Sequence, residues 1–132
     1  MDEKYIIYAT NMDEIGDKII SSSKECFYYN KEMISNPKVC IELGYKGVEK
    51  YRECLSLLKS IEVPDLVKNK HDKIIREWKE FIHATESEYI TIDEEADNNF
   101  ILKVVKETVS LQWKVSANTS KLCEQICDEL VK

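Results

Sequence analysis

The chain is short of residues that bend a backbone, with three glycines and two prolines in 132 residues. A turn-rich β sandwich or barrel would need more, so long helices with short connections are expected. Long apolar runs are missing too. No stretch approaches the roughly 20 apolar residues of a membrane span, and residues 5–8, behind Asp2 and Glu3, have neither the basic start nor the length of a signal peptide. Basic charge is scarce: the net charge is −6, spread without an acidic tail. That balance argues against a nucleic acid held by its phosphates and against an anionic membrane surface.

A CxxC pair is also lacking. Cys26, Cys40, Cys54, Cys123 and Cys127 are odd in number, in a chain long enough to bury roughly two thirds of its unfolded surface without staples. This points to reduced thiols and a cytoplasmic setting; a secreted domain lacking its leader fits the odd count less well. With 43% apolar and 33% charged residues, one all-α domain over residues 1–132 is expected.

The chain is organised around residues 64–89. Val67, His71, Ile74, Trp78, Ile82, Thr85 and Tyr89 recur at steps of three and four, which at about 100° per residue makes one apolar stripe, flanked by Ile75 and Phe81. Lys73, Arg76, Glu80 and His83 fall on the other side. Such a stripe must be covered by other helices.

Three further segments can cover it. Met12, Ile15, Ile19, Ser22, Cys26, Tyr29 and Met33 form the seam of a first helix. Two starts fit it: one near Glu3, where Tyr5 and Tyr8 extend the spacing, and one at Met12 behind a capping box formed by Asn11 and Glu14. The longer helix is preferred. Asn36-Pro37 opens a second helix, with Asn as cap and Pro at the first helical position. Its face carries Cys40, Gly44, Gly47, Tyr51, Cys54, Leu58 and Ile61. Two mid-helix glycines cost about 1 kcal/mol each against alanine, so this shallow face is either a close helix crossing or a ligand groove around Cys40, Gly44 and Gly47. Val63-Pro64 ends that helix and starts the third.

Thr91-Ile-Asp-Glu94 resembles a capping box, from which a last helix should run to about Leu130. That helix has two apolar faces. Ile101, Val104, Thr108, Leu111, Val115, Leu122 and Ile126 form one; Leu102, Val105, Val109, Trp113, Ser116, Ser120, Cys123 and Cys127 form the other. The expected architecture is an antiparallel up-down-up-down four-helix bundle, in which each helix touches two neighbours. Both faces can then be structural, or the second can stay open for another chain.

Catalytic signals are sparse. Glu80-Phe-Ile-His83 has the Glu-x-x-His spacing of a di-iron site, but only one copy is present and only one other histidine exists. His71-Asp72 is similar to the pair of metal-dependent phosphohydrolases, yet the upstream histidine is missing and His71 lies on the apolar stripe, which suits a buried, hydrogen-bonded histidine better. Cys123 and Cys127, one turn apart, lack partners for a four-ligand zinc site and read as packing residues. No metal or cofactor is expected.

The stretch from Arg76 to His83, Arg-Glu-Trp-Lys-Glu-Phe-Ile-His, resembles the motif of HEPN-type ribonucleases, all-α proteins of similar length that commonly assemble their site across a dimer. The resemblance implies that Arg76 and His83 bind phosphate and act on an RNA 2′-hydroxyl. It covers those eight residues, and Glu77 stands where the family usually has a small polar residue.

The sequence therefore favours a non-catalytic helical binding or assembly module that contacts a protein partner or a second copy of itself. The contact residues expected are Leu102, Val109 and Trp113, with Tyr45 and Leu57 as weaker candidates. The alternatives are the ribonuclease using Arg76 and His83, and a small-ligand bundle using the shallow face.

Overall fold

The computed structural model describes residues 2–27 and 31–132. Among them the protein is all-α, with no strand. Its helices are α1 (Glu3–Cys26), α2 (Lys31–Ser35), α3 (Pro37–Ser60), α4 (Lys68–Tyr89) and α5 (Asn98–Leu130), and a 3-10 turn, Asp65–Val67, leads into α4. No helix among the described residues is long and apolar enough to cross a membrane.

The longer form of α1 is the one adopted. Asp2 caps it by accepting from the Lys4 N–H at 2.9 Å, and Asn11 sits inside the helix. The seam expected to carry this helix on to Met33 is broken, however. Phe27 leaves the helical region, at φ −125° and ψ 67°, and its ring turns inward to stack on Tyr51. Met33 is fully buried, but on the separate five-residue α2, which packs against both α3 and α5. Tyr29, placed on the same seam by its spacing, lies outside the described residues.

At α3, Asn36 accepts from the Lys38 N–H at 3.2 Å and Pro37 opens the helix. At α4 every residue of the expected stripe is buried, with Phe81 beside it.

The last helix begins later than the capping box at Thr91 suggested. The Thr91 hydroxyl bonds backwards to the Glu88 carbonyl, and Asp93 closes a local turn by accepting from the Glu95 N–H. Asp97 is the residue that caps α5, accepting from the Phe100 N–H at 2.8 Å. Ile92, buried in the core, anchors the connection between the two helices.

The two glycines of α3 are close-approach positions. A Cβ on Gly44 would overlap the ring of Tyr89, and one on Gly47 would overlap the ring of Phe27. Those rings join Tyr51, Trp78 and Phe81 in a cluster with centroids 5.2–6.0 Å apart, within the range in which aromatic pairs gain beyond their buried area.

Inter-helix contacts pair high numbers with low. Glu25 binds Lys46 and Lys50, and Ser23 hydrogen-bonds Tyr51, which joins the end of α1 to the middle of α3. Arg52 meets Glu86 at 2.6 Å, and the Leu58 carbonyl meets His71, joining α3 to α4. Asn118 reaches Glu77 and Lys70 lies 3.8 Å from Glu129, joining α4 to α5. Contacts are rich between α1 and α3, α3 and α4, and α4 and α5, whereas α1 and α5 barely touch.

Candidate functional site

Between α1 and α5, whose described residues have few close approaches, lies a groove of about 690 Å³. Its α1 wall is Met12, Ile15, Gly16, Ile19 and Ile20, and its floor is Leu58, Ile74 and Trp78 from the two central helices. The α5 wall carries small and polar side chains: Ser116, Thr119, Ser120, Cys123 and Cys127, with Glu124 and Asp128 at the edge. A volume of this order is typical of ligand and partner pockets, about 300–1,000 Å³.

Helical spacing explains each wall. On α1, Ile15 and Ile19 are one turn apart and project towards both α3 and the groove, so Ile15 is buried and Ile19 half-buried. Ile20 lies further round and is 54% exposed. On α5, positions 116, 120, 123 and 127 repeat at steps of three and four, so they share one face. Trp113 continues that face one turn towards the N-terminus and is 75% exposed, the most exposed large apolar side chain among the described residues.

Beneath the end of the groove lies a buried polar link. The Tyr8 hydroxyl is 2.8 Å from Nδ1 of His71, and Nε2 of the same ring is 2.7 Å from the Leu58 carbonyl. A carbonyl only accepts, so Nε2 donates to it, and in the neutral ring Nδ1 accepts from Tyr8. Burial, followed by the proximity of Cys123 and Cys127, raises the Tyr8 pKa. Burial also raises the Cys123 pKa, with Cys127 and Asp13 adding to the effect. Cys123 therefore stays a thiol at neutral pH, which suits a packing surface better than nucleophilic chemistry.

The residues singled out by sequence scatter around this groove. Trp113 shares the face of Ser116 and Ser120, one turn before the first α5 residue that lines the groove; Leu102 and Val109 are half-buried on the same helix, and none of the three lines it. Tyr45, 40% exposed, and half-buried Leu57 are on α3. Cys40, Gly44 and Gly47 are buried, and the space above the two glycines holds Tyr89 and Phe27. Of the two thiols read as packing residues, Cys123 is half-buried and packs against the core, while Cys127 is exposed; both line the groove.

Arg76 and His83 are both exposed on α4, yet they border different hollows. Arg76 shares one with Lys73, Glu77, Glu80 and Leu122, on the side of α5. His83 shares another with Arg52, Leu55, Ser56, Lys59, Lys79 and Ile82, on the side of α3. Among the described residues no three of His, Cys, Asp and Glu gather closely enough to hold a metal ion.

Gly16 and Ile20 have no mark in the three-four spacing of α1. Both fall outside the seam of Met12, Ile15 and Ile19. The cost of a mid-helix glycine could have marked Gly16, and no comparable signal marks Ile20. Against protein-family models, curated proteins and solved structures, the chain finds no match.

Proposed function

We propose that the protein is a non-catalytic helical binding or assembly module, an up-down-up-down four-helix bundle in one domain, held open between its first and last long helices. The contacts of Glu25 with Lys46, Arg52 with Glu86 and Lys70 with Glu129 support that order of helices. The apolar groove between α1 and α5, with exposed Trp113 one turn further along the same face of α5, supports docking of another polypeptide. That groove is the observation on which the reading stands. Exposed apolar surface rimmed by polar residues is characteristic of interaction sites, and tryptophan is over-represented among residues that anchor them. The five thiols, none of them bridged, suit a reducing cytoplasmic setting.

The test compares the sedimentation mass and partner retention of the protein with those of Trp113→Ala and Ile20→Asp. Loss of an assembly or partner in both variants, with helical content unchanged, is the expected result. An unchanged mass and unchanged retention in both would overturn the reading.

A further inference from the structure

The walls of the α1–α5 groove restrict what fills it. Gly16 is the first clue. The glycines of α3 are required by rings that press on them, but around a Cβ built on Gly16 nothing lies within 4 Å. The fold gains nothing from a glycine there, and it stands on the groove wall opposite a second line of small side chains, Ser116 and Ser120. Small residues on facing walls let another helix backbone approach closely. The groove runs from residue 116 to residue 128 on α5, about 18 Å at the rise of an α-helix, which matches three turns of a docked helix.

Charge decides which helix. The charged side chains on the groove wall, Glu124 and Asp128, are both acids. Asp13, near enough to Cys123 to raise its pKa, brings a third from the α1 side, and Lys18, which acts on the Cys54 thiol of α3, does not line the groove. Resting on the docking function proposed above, we infer that the groove receives an amphipathic helix of a partner protein whose apolar stripe is bordered by lysine or arginine. A second copy of this chain is disfavoured, because a two-fold pair sets the same patch against itself and acids would face acids. The acidic edge likewise repels the carboxylate of a fatty acid or the phosphate of a lipid headgroup.

The test uses two synthetic helical peptides of about four turns, identical in their leucine stripe, one flanked by lysines and the other by glutamates. Titrated into the intact protein, the lysine peptide should bind at least about tenfold more tightly, and added salt should shrink that preference. The triple variant Asp13→Asn, Glu124→Gln, Asp128→Asn should bring the two affinities together. Gly16→Leu should abolish binding of the lysine peptide without lowering the unfolding midpoint, which separates a blocked groove from a damaged fold. Equal affinities that Gly16→Leu still abolishes would overturn the charge inference and leave docking at the groove standing. Displacement of the lysine peptide by oleate would overturn the inference in favour of a lipid. A doubled solution mass lost in Gly16→Leu would overturn it in favour of self-association. Failure of both peptides, with a monomeric mass unaffected by any of these substitutions, would overturn both the inference and the docking function.

Discussion

Tyr8 and His71 meet at 2.8 Å in the interior, although 63 positions separate them. Because the other nitrogen of His71 is bound to the Leu58 carbonyl, one imidazole joins α1, α3 and α4. All three groups are polar and buried, so the link stabilises mainly by leaving none of them unpaired.

Tyr8→Phe keeps the ring and removes the donor, which strands Nδ1 of His71 in the core. Denaturant unfolding should show a loss of about 1–3 kcal/mol, with the far-ultraviolet dichroism of the folded state unchanged. A loss below a few tenths would mean that the hydrogen bond contributes little.

The glycines should respond with opposite signs. Gly16→Ala adds a methyl where there is open space and should stabilise by about 0.5–1 kcal/mol through helix propensity alone. Gly44→Ala drives a methyl into the Tyr89 ring and should cost about 1–3 kcal/mol from overpacking, with Gly47→Ala behaving similarly against Phe27. Thermal melts of the three variants measure this directly.

Trp113 carries little weight in the fold, being 75% exposed. Trp113→Ala should change the unfolding free energy by no more than about 0.5 kcal/mol. A substantially larger destabilisation would place that side chain in the fold's own packing.

Across the α4–α5 contact, burial raises the Glu88 pKa above its ordinary value of 4.5, and Glu107 adds to this by hydrogen bonding and repulsion. A carboxyl with a raised folded pKa opposes folding as pH climbs from 4.5 through the raised value, and that penalty is absent below 4.5. Glu107→Gln should therefore stabilise at pH 7, by about 0.5 kcal/mol if the pair behaves as like-charged helical neighbours do. At pH 4 the variant and the parent should converge. Glu25 behaves in the reverse sense: hydrogen bonds from Lys46 and Lys50 hold its pKa down to about 2. Its contribution is present above 4.5 and fades as pH falls towards 2.

Sequence periodicity marked the central helices because their side chains have one way to be buried. Every member of the stripe from Val67 to Tyr89 is in the core, and Pro37 with Asn36 starts α3 where local chemistry says it should. The two ends of the chain were harder to read. The break after Cys26 depends on Phe27 reaching Gly47 and Tyr51, and the delayed start of α5 depends on Ile92 entering the core; neither contact leaves a local pattern. The groove was half visible. Spacing put Trp113, Ser116, Ser120, Cys123 and Cys127 on a second face of the last helix, but the separation of α1 from that face is a matter of helix placement, which periodicity does not encode.

The two tryptophans occupy contrasting surroundings. Trp78 forms part of the groove floor and is 5% exposed, while Trp113, one turn beyond the lining residues of α5, is 75% exposed. Their ultraviolet emission should accordingly divide into a short-wavelength and a long-wavelength component, giving the unlabelled protein its own optical gauge. An occupant that covers Trp113 would blue-shift the second component, and a quencher dissolved in the solvent would then lose access to it.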